Sequence, residues 1–203
     1  MNNRIHCIWS VKAVLEIERK FLFGKELPVE IIEKAERHQL IIQWYLNPPE
    51  RRRIRLGVDG SEIFLLETLK SGSGLVREEE ERYHDPAKIT EIAEQLKASR
   101  AVIKSRHIFA RKQVEGVIDW YLLPELGYVF EVETSSAYVR LLDPWEYWML
   151  PREEFKEVTE DPAYTARSLA VVIHDIEDIF PMSMSLISKK QIEKFEMLLR
   201  LIY

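Results

Sequence analysis

The chain has 203 residues, 46% of them apolar and 31% charged, and its 29 Lys and Arg stand against 34 Asp and Glu for a net charge of −5. These values exclude a wholly disordered chain, argue against a nucleic-acid coat or a polybasic membrane anchor, and bound the protein to one or two domains. The single Cys7 excludes an internal disulfide and a Cys-rich zinc site; with no apolar run near the ~18 residues of a membrane span and no signal-peptide core in MNNRIHCIWSVKAV, a soluble cytoplasmic protein is expected.

The first dozen residues carry little pattern. VLEIERKFLF (14–23) then alternates, with Glu16, Glu18 and Lys20 on one face and Leu15, Ile17, Arg19 and Phe21 on the other. Residues 28–38 predict a short helix opened by Pro28. QLIIQWYL (39–46) reads as a strand stopped by Pro48-Pro49. RRRIRLGVD (51–59) is the next, and Asp59-Gly60 is a hairpin turn leading into EIFLLETLK (62–70). Residues 71–74 (SGSG) predict a second turn, followed by the strand LVREEEERYH (75–84). Asp85-Pro86 opens a helix whose apolar stripe is Ile89, Ile92, Ala93 and Leu96.

Three further strands follow at 101–112, 114–123 and 127–135. After Asp143-Pro144 the pattern is helical or irregular to residue 180. Ser188 with Gln191 forms a capping box for a last helix carrying Ile192, Phe195, Leu198, Leu199 and Ile202 on one face. The expectation is an α+β fold with about eight antiparallel strands in a closed or strongly curved sheet.

The polar faces of these strands are not mixed at random. Like charges stand two apart at Glu16/Glu18, Arg53/Arg55, Glu79/Glu81, Lys104/Arg106 and Glu131/Glu133, and Lys70, Arg77 and Asp119 join the same faces. A single such pair is ordinarily a solvated strand face with weak salt bridges. REEEE at 77–81 taken alone reads as a charge run on a surface. Five pairs on five alternating segments are another matter, because like charges side by side need counter-charges. A sheet closed with these faces inward lines one lumen with both signs. Its carboxylates suit Mg²⁺ or Mn²⁺ through oxygen, and its cations suit phosphate oxygens.

LEIERKFL (15–22) resembles the N-terminal signature of the CYTH superfamily, the triphosphate tunnel metalloenzymes. The resemblance continues in order through IQWYL (42–46), RIRL (53–56), LLETLKSGSGLVREEEE (65–81), IKSR (103–106), VIDWY (117–121), FEVET (130–134) and EVTEDPAYTARSLA (157–170). It implies an eight-stranded antiparallel β-barrel, a tunnel, with helices packed outside and a C-terminal helix. It divides the chain into an extension (1–13), a tunnel domain (14–170) and a C-terminal helical extension (171–203). Members act on inorganic tripolyphosphate, thiamine triphosphate, nucleoside triphosphates or RNA 5′-triphosphates, and some are class IV adenylyl cyclases. LEIERKFL is most similar to the bacterial inorganic triphosphatase branch.

Carried across, the resemblance implies metal binding by Glu16, Glu18, Glu131 and Glu133, with Glu79, Glu81 and Asp119 as further candidates. It implies phosphate binding by Lys20, Arg53, Arg55, Lys70, Arg77, Lys104 and Arg106. Tyr45 stands in the family's tyrosine position, as a partner for Lys20. The expected mechanism uses Mg²⁺ or Mn²⁺, with one metal on Glu131/Glu133 or Glu79/Glu81 as Lewis acid and a second on Glu16/Glu18 that activates water. Lys20 orients or partly deprotonates that water, or else contacts phosphate, and Tyr45 sets the water's position.

A small-molecule triphosphate is the expected partner, with no membrane and no nucleic acid; a homodimer stays open. A class IV adenylyl cyclase, a thiamine triphosphatase and a non-catalytic polyphosphate or nucleotide-binding module are the alternatives. By alternation Trp44 faces outward as packing, and His107 lies opposite Arg106 as a packed or surface residue. Trp145, Tyr147 and Trp148 read as core or rim, and Glu157 as structural. The C-terminal helix either plugs a tunnel mouth or packs in a dimer. There is no P-loop and no nucleophile elbow, and the histidines at 6, 38, 84, 107 and 174 lack zinc spacing.

Overall fold

The structure is a computed structural model that describes residues 10–15, 17–46, 52–73, 76–174 and 188–203, with side chains described except at 10–15, 70–73 and 76–79. Its strands are β1 (Ser10–Leu15), β2 (Ile17–Phe23), β3 (Arg37–Tyr45), β4 (Arg52–Asp59), β5 (Glu62–Ser73), β6 (Val76–His84), β7 (Arg100–Arg111), β8 (Val114–Leu123), β9 (Gly127–Thr134), β10 (Phe155–Glu157) and β11 (Val171–Val172). All pair antiparallel in one sheet, in the order β1-β6-β5-β4-β3-β7-β8-β9-β2-β10, with β11 on β7. The expected closed eight-stranded barrel is corrected accordingly. The hydrogen-bonded path is open, its ends being β1 and β10 among the described residues. Yet β1 and β2 are consecutive in the chain, Leu15 and Ile17 being one residue apart, so the β6 side and the β9 side of the sheet are joined by one stretch of backbone.

The elements follow from local chemistry, with instructive departures. Asp59-Gly60 makes the β4–β5 turn, with Gly60 at φ 55°. The helix expected at 28–38 shrinks to α1 (Val29–Ile32), because Arg37 and His38 are drawn into β3 by pairing with Ile108 and His107. Residues 71–73 of the expected turn are strand, since β5 continues to Ser73, paired with Val76, and the rest of that turn lies outside the described residues. Asp85 caps a 3-10 turn, Pro86–Ile92, before α2 (Ala93–Lys97), so only Ile89 and Leu96 of the predicted stripe are fully buried. Past α3 (Pro144–Trp148), two strands emerge that periodicity misses. β10 and β11 are three and two residues long, too short for alternation to register. Between them runs a strap, residues 158–170, with α4 (Ala166–Leu169).

Two apolar clusters cover the outer face of the sheet. Leu40, Ile42, Trp44, Ile54 and Leu56 pack against Ile89, Leu96 and the face of α5 (Lys189–Leu199) formed by Phe195, Leu198 and Leu199. The predicted Ser188–Gln191 capping box opens α5. Trp44 is fully buried there, its Nε1–H donating to Tyr203 Oη at 3.3 Å. α5 therefore covers the outside of β3 and β4. On the other flank Phe21, Phe23, Phe109, Ile118 and Phe130 pack against Tyr147 and Trp148 of α3. Gly116 makes that docking geometrically feasible: a Cβ there would stand 2.7 Å from Trp148 and 2.8 Å from Tyr147. Among the described residues no helix is long and apolar enough to cross a membrane.

Candidate active site: a two-signed cavity inside the sheet

The inner face of the same strands surrounds a cavity of about 1000 Å³, lined from β2 through β9. Glu18, Lys20, Tyr45, Arg53, Arg55, Glu81, Lys104, Arg106, Glu131 and Glu133 all line it, so alternation places these predicted residues together. Glu16 lies outside the described residues. Lys70, Arg77 and Glu79 stand on β5 and β6, and their side chains lie outside the described ones. Asp119 is on the same face, fully buried behind the cavity wall.

One chain of ion pairs threads the site. Lys20 Nζ lies 3.3 Å from Glu18 Oε1 and 2.9 Å from Glu131 Oε1. Arg106 Nη2 reaches Glu131 Oε2 at 3.2 Å and Asp119 Oδ2 at 2.7 Å, while its Nε donates to Asp119 Oδ1 at 2.7 Å. Lys104 Nζ completes the chain on Asp119 Oδ2 at 2.5 Å. Both oxygens of Asp119 are thus taken by cations, and its role here is to hold Lys104 and Arg106.

Protonation states follow from this wiring. Burial works against the Lys20 ammonium, but Glu131 and Glu18 outweigh it and hold its pKa well above the usual lysine range. In this arrangement Lys20 donates to both Glu131 and Glu18. Burial works against the Asp119 carboxylate too, but Arg106 and Lys104 keep it ionised, far below the usual range. Lys104 is pulled down to about 8, by burial first and then by Arg106, despite Asp119 and Glu131. Burial together with Arg53 and Arg106 lowers Arg55 to about 9.

Several contributors lay outside the sequence reading. Gln43 is buried; its Oε1 accepts from Arg55 Nε at 2.6 Å and its Nε2 donates to Tyr45 Oη. Tyr45 is thus bonded to Gln43, and the ion-pair partners of Lys20 are Glu131 and Glu18, which differs from the expected Tyr45–Lys20 pairing. Period two places Gln43 on the inner face; its polar, uncharged side chain hid it among the apolar β-formers of QLIIQWYL. Glu115 faces Glu133, which faces Glu18, so three acidic residues stand in one row across β8, β9 and β2, all at the cavity. The strap also contributes: Thr159 Oγ1 accepts from the Lys20 backbone N–H at 3.0 Å. Glu157 ties Arg19 at 2.8 Å outside the cavity lining, the structural part expected of it.

The inner face is not polar throughout. Val102, Tyr121, Val129 and Ala170 form a buried apolar cluster with Leu22, Tyr45 and Leu169, filling the interior where β2, β7, β8 and β9 meet the strap. On the opposite face His107 is fully buried, its Nδ1 2.9 Å from His38 Nδ1 and its Nε2 3.0 Å from Ser105 Oγ.

Among the described residues no three of His, Cys, Asp and Glu converge as a metal-holding group. The donor chemistry nevertheless fits a hard divalent cation. The row of Glu18, Glu133 and Glu115 offers carboxylate oxygen, the donor a hard divalent cation takes, with Lys20 3.3 Å from Glu18 at its edge.

No family model matches the chain, and no curated protein matches it. Solved structures do. The chain is similar to the inorganic triphosphatase NE1496, at 27% identity over 79% of this chain and 97% of that one, with a TM-score of 0.48. It is similar to the PH1012 protein from Pyrococcus horikoshii OT3, at 17% identity over 70% of this chain and 94% of that one, with a TM-score of 0.42. A conserved hypothetical protein from Pyrococcus furiosus follows at 15% identity, 70% and 94% coverage and a TM-score of 0.41.

Proposed function

We propose that this chain hydrolyses a triphosphate, inorganic tripolyphosphate foremost, with Mg²⁺ or Mn²⁺. The observation that carries this reading is Arg55. Its guanidinium faces the cavity, beside Arg53 and Arg106, and its hydrogen bond among the described residues goes to the neutral amide of Gln43. A cation held so close to other cations is costly unless an anion joins it. Arg53, Lys104 and Lys20 line the same space, so the anion it suits is extended and multiply charged. The family resemblance of LEIERKFL and the segments after it points to the same substrate.

Glu18 and Glu133, with Glu16 and Glu131 beside them in sequence and Glu79 and Glu81 on β6 as further candidates, would hold the cation. Bound there, it supplies charge neutralisation on phosphate oxygens and a more acidic water. The chain's own residues do the rest. Arg53, Arg55 and Arg106 grip non-bridging oxygens, with Lys70 and Arg77 assigned the same part. Asp119 keeps Arg106 and Lys104 aimed. Lys20, fixed by Glu131 and Glu18, donates to a terminal oxygen or to the attacking water, and Tyr45 with Gln43 fixes the wall beside it. Water oxygen forms the new bond to the terminal phosphorus, the bridging P–O bond breaks, diphosphate leaves, and the water proton passes to solvent.

The test is phosphate release from tripolyphosphate, ATP and thiamine triphosphate, with Mg²⁺, with Mn²⁺ and with EDTA. Metal-dependent release, fastest from tripolyphosphate, is expected. Saturable tripolyphosphate binding with no release from any of the three would overturn the hydrolase reading in favour of a binding module.

A further inference from the structure

The two ends of the cavity differ in charge. At the rim where β3 begins and β4 turns into β5, the lining includes Asp59 and Glu62, and Arg37 there is tied to Asp59 through Nε at 2.9 Å and Nη2 at 2.5 Å. At the other end, beside the strap, the lining includes Tyr45, Arg52, Arg53, Tyr164 and Arg167 together with Asp161, whose Oδ1 accepts from the Ala163 N–H. Arg52 is ion-paired with Glu67. Arg167, on α4, is exposed. Its Nη2 donates to the Leu46 carbonyl at 3.0 Å, and its guanidinium carbon lies 5.9 Å from the Tyr45 ring centroid. Among the described residues no carboxylate bonds to it. One carbonyl bond leaves most of a five-donor fork available, pinned by the Tyr45 ring at the margin of the cavity.

We infer that the anion reaches the cavity from the strap side, and that Arg167 receives its outer end and sets the preference among polyphosphates of different length. This rests on the triphosphate reading. An acidic rim repels a polyanion, whereas a basic margin concentrates it and raises its on-rate in a salt-dependent way. The inner apolar cluster of Leu22, Val129, Tyr121 and Leu169 narrows the interior beside the strap, so the polar route runs past Tyr45, Arg53 and Arg167. A longer chain held by the inner cations leaves its outer phosphate against Arg167. Arg167 is thus a specificity residue at the margin of the cavity.

The experiment is steady-state kinetics with Mg²⁺ on tripolyphosphate and tetrapolyphosphate at several ionic strengths, for wild type, R167Q, R167K and E62Q. For R167Q the KM for tripolyphosphate should rise about tenfold, the loss of one charge-assisted hydrogen bond, with kcat within about twofold. The rise should be larger for tetrapolyphosphate, and the salt dependence of kcat/KM shallower. R167K, which keeps the charge, should recover most of kcat/KM. E62Q, at the acidic rim, should behave as wild type. An unchanged KM in R167Q overturns the inference, as does a fall in kcat alone, or a lowered KM in E62Q, which would place the way in at the acidic rim. Should R167Q fail to fold, R167K and E62Q carry the same comparison. If wild type neither turns over nor binds tripolyphosphate, the triphosphate reading itself fails and takes this inference with it.

Discussion

The two faces of β3 show how one strand serves opposite purposes. Outward, Leu40, Ile42 and Trp44 are fully buried under α5 and the 86–97 helical segment in an apolar cluster, with Trp44 also bonded to Tyr203. Inward, Gln39, Gln43 and Tyr45 face Arg55, Arg106 and water-accessible space. Burial drives both faces, with different consequences. Apolar burial outside lowers free energy without needing a partner of defined geometry. Burial inside penalises every charge, so each must find a counter-charge, and the charges lacking one mark where a ligand belongs.

The comparison is broken most severely at Asp119, where the inner face is as dry as the outer. Asp119→Ala leaves Lys104 and Arg106 buried without the carboxylate that holds both. A loss of about 3–5 kcal/mol is expected, with turnover abolished. At about 2–4 °C per kcal/mol for a chain of this size, thermal melting should fall by about 10 °C. Asp119→Asn, which keeps the shape, should lose less. A melting temperature unchanged in Asp119→Ala would mean that the inner charges are solvated and that burial does not constrain them.

The outer face has its own titrating group, and pH sharpens the contrast there. His107 is depressed to about 4, by burial first and by His38 second. Its unfolded value is near 6.5. Between these values the unfolded chain binds more protons than the folded one, so stability rises with pH across pH 4–6.5 and is lost as pH falls through that window, by up to about 3 kcal/mol. Urea melts of wild type and His107→Asn at pH 4.5 and 7 measure it. The variant should lose less stability on acidification; equal losses would show that His107 is solvated, against its complete burial.

Much of this was legible in the residues, for physical reasons. Alternation assigned Glu18, Lys20, Arg53, Arg55, Lys104, Arg106, Glu131 and Glu133 to one face because a strand's period of two admits no other arrangement. It placed Trp44 and His107 outside by the same rule. What it did not reveal was sharing. That Asp119 is saturated by Lys104 and Arg106, or that Lys20 is fixed by Glu131, depends on cross-strand register, which no single strand encodes. β10 and β11 were missed for their length. Arg167 was missed because the strap has no periodicity; its position follows from where β10 and β11 anchor the two ends. The inner apolar cluster was missed because Tyr121 and Val129 were read through their charged neighbours.

The smallest expected effect is also the most diagnostic, because it moves stability and affinity in opposite directions. Gln43 sits between Arg55 and Tyr45, giving an uncharged oxygen to the guanidinium at 2.6 Å. Gln43→Glu puts a carboxylate in that place at almost no change in volume. Arg55, depressed to about 9 by burial and by Arg53 and Arg106 despite Glu81, then gains a directly bonded counter-charge. A charged hydrogen bond exceeds a neutral one by about 1 kcal/mol, so melting should rise by about 2–4 °C. The same carboxylate competes with phosphate for Arg55, so tripolyphosphate affinity measured by calorimetry should fall about tenfold or more. A protein in which Gln43→Glu strengthens both would have a cavity whose positive charge is structural, and Arg55 would no longer mark a place for an anion. A protein in which it weakens both would have Gln43 acting through its amide N–H to Tyr45, with the Arg55 contact secondary. Only stability gained at the expense of binding matches a guanidinium left under-compensated by the protein's own side chains so that a triphosphate can complete it.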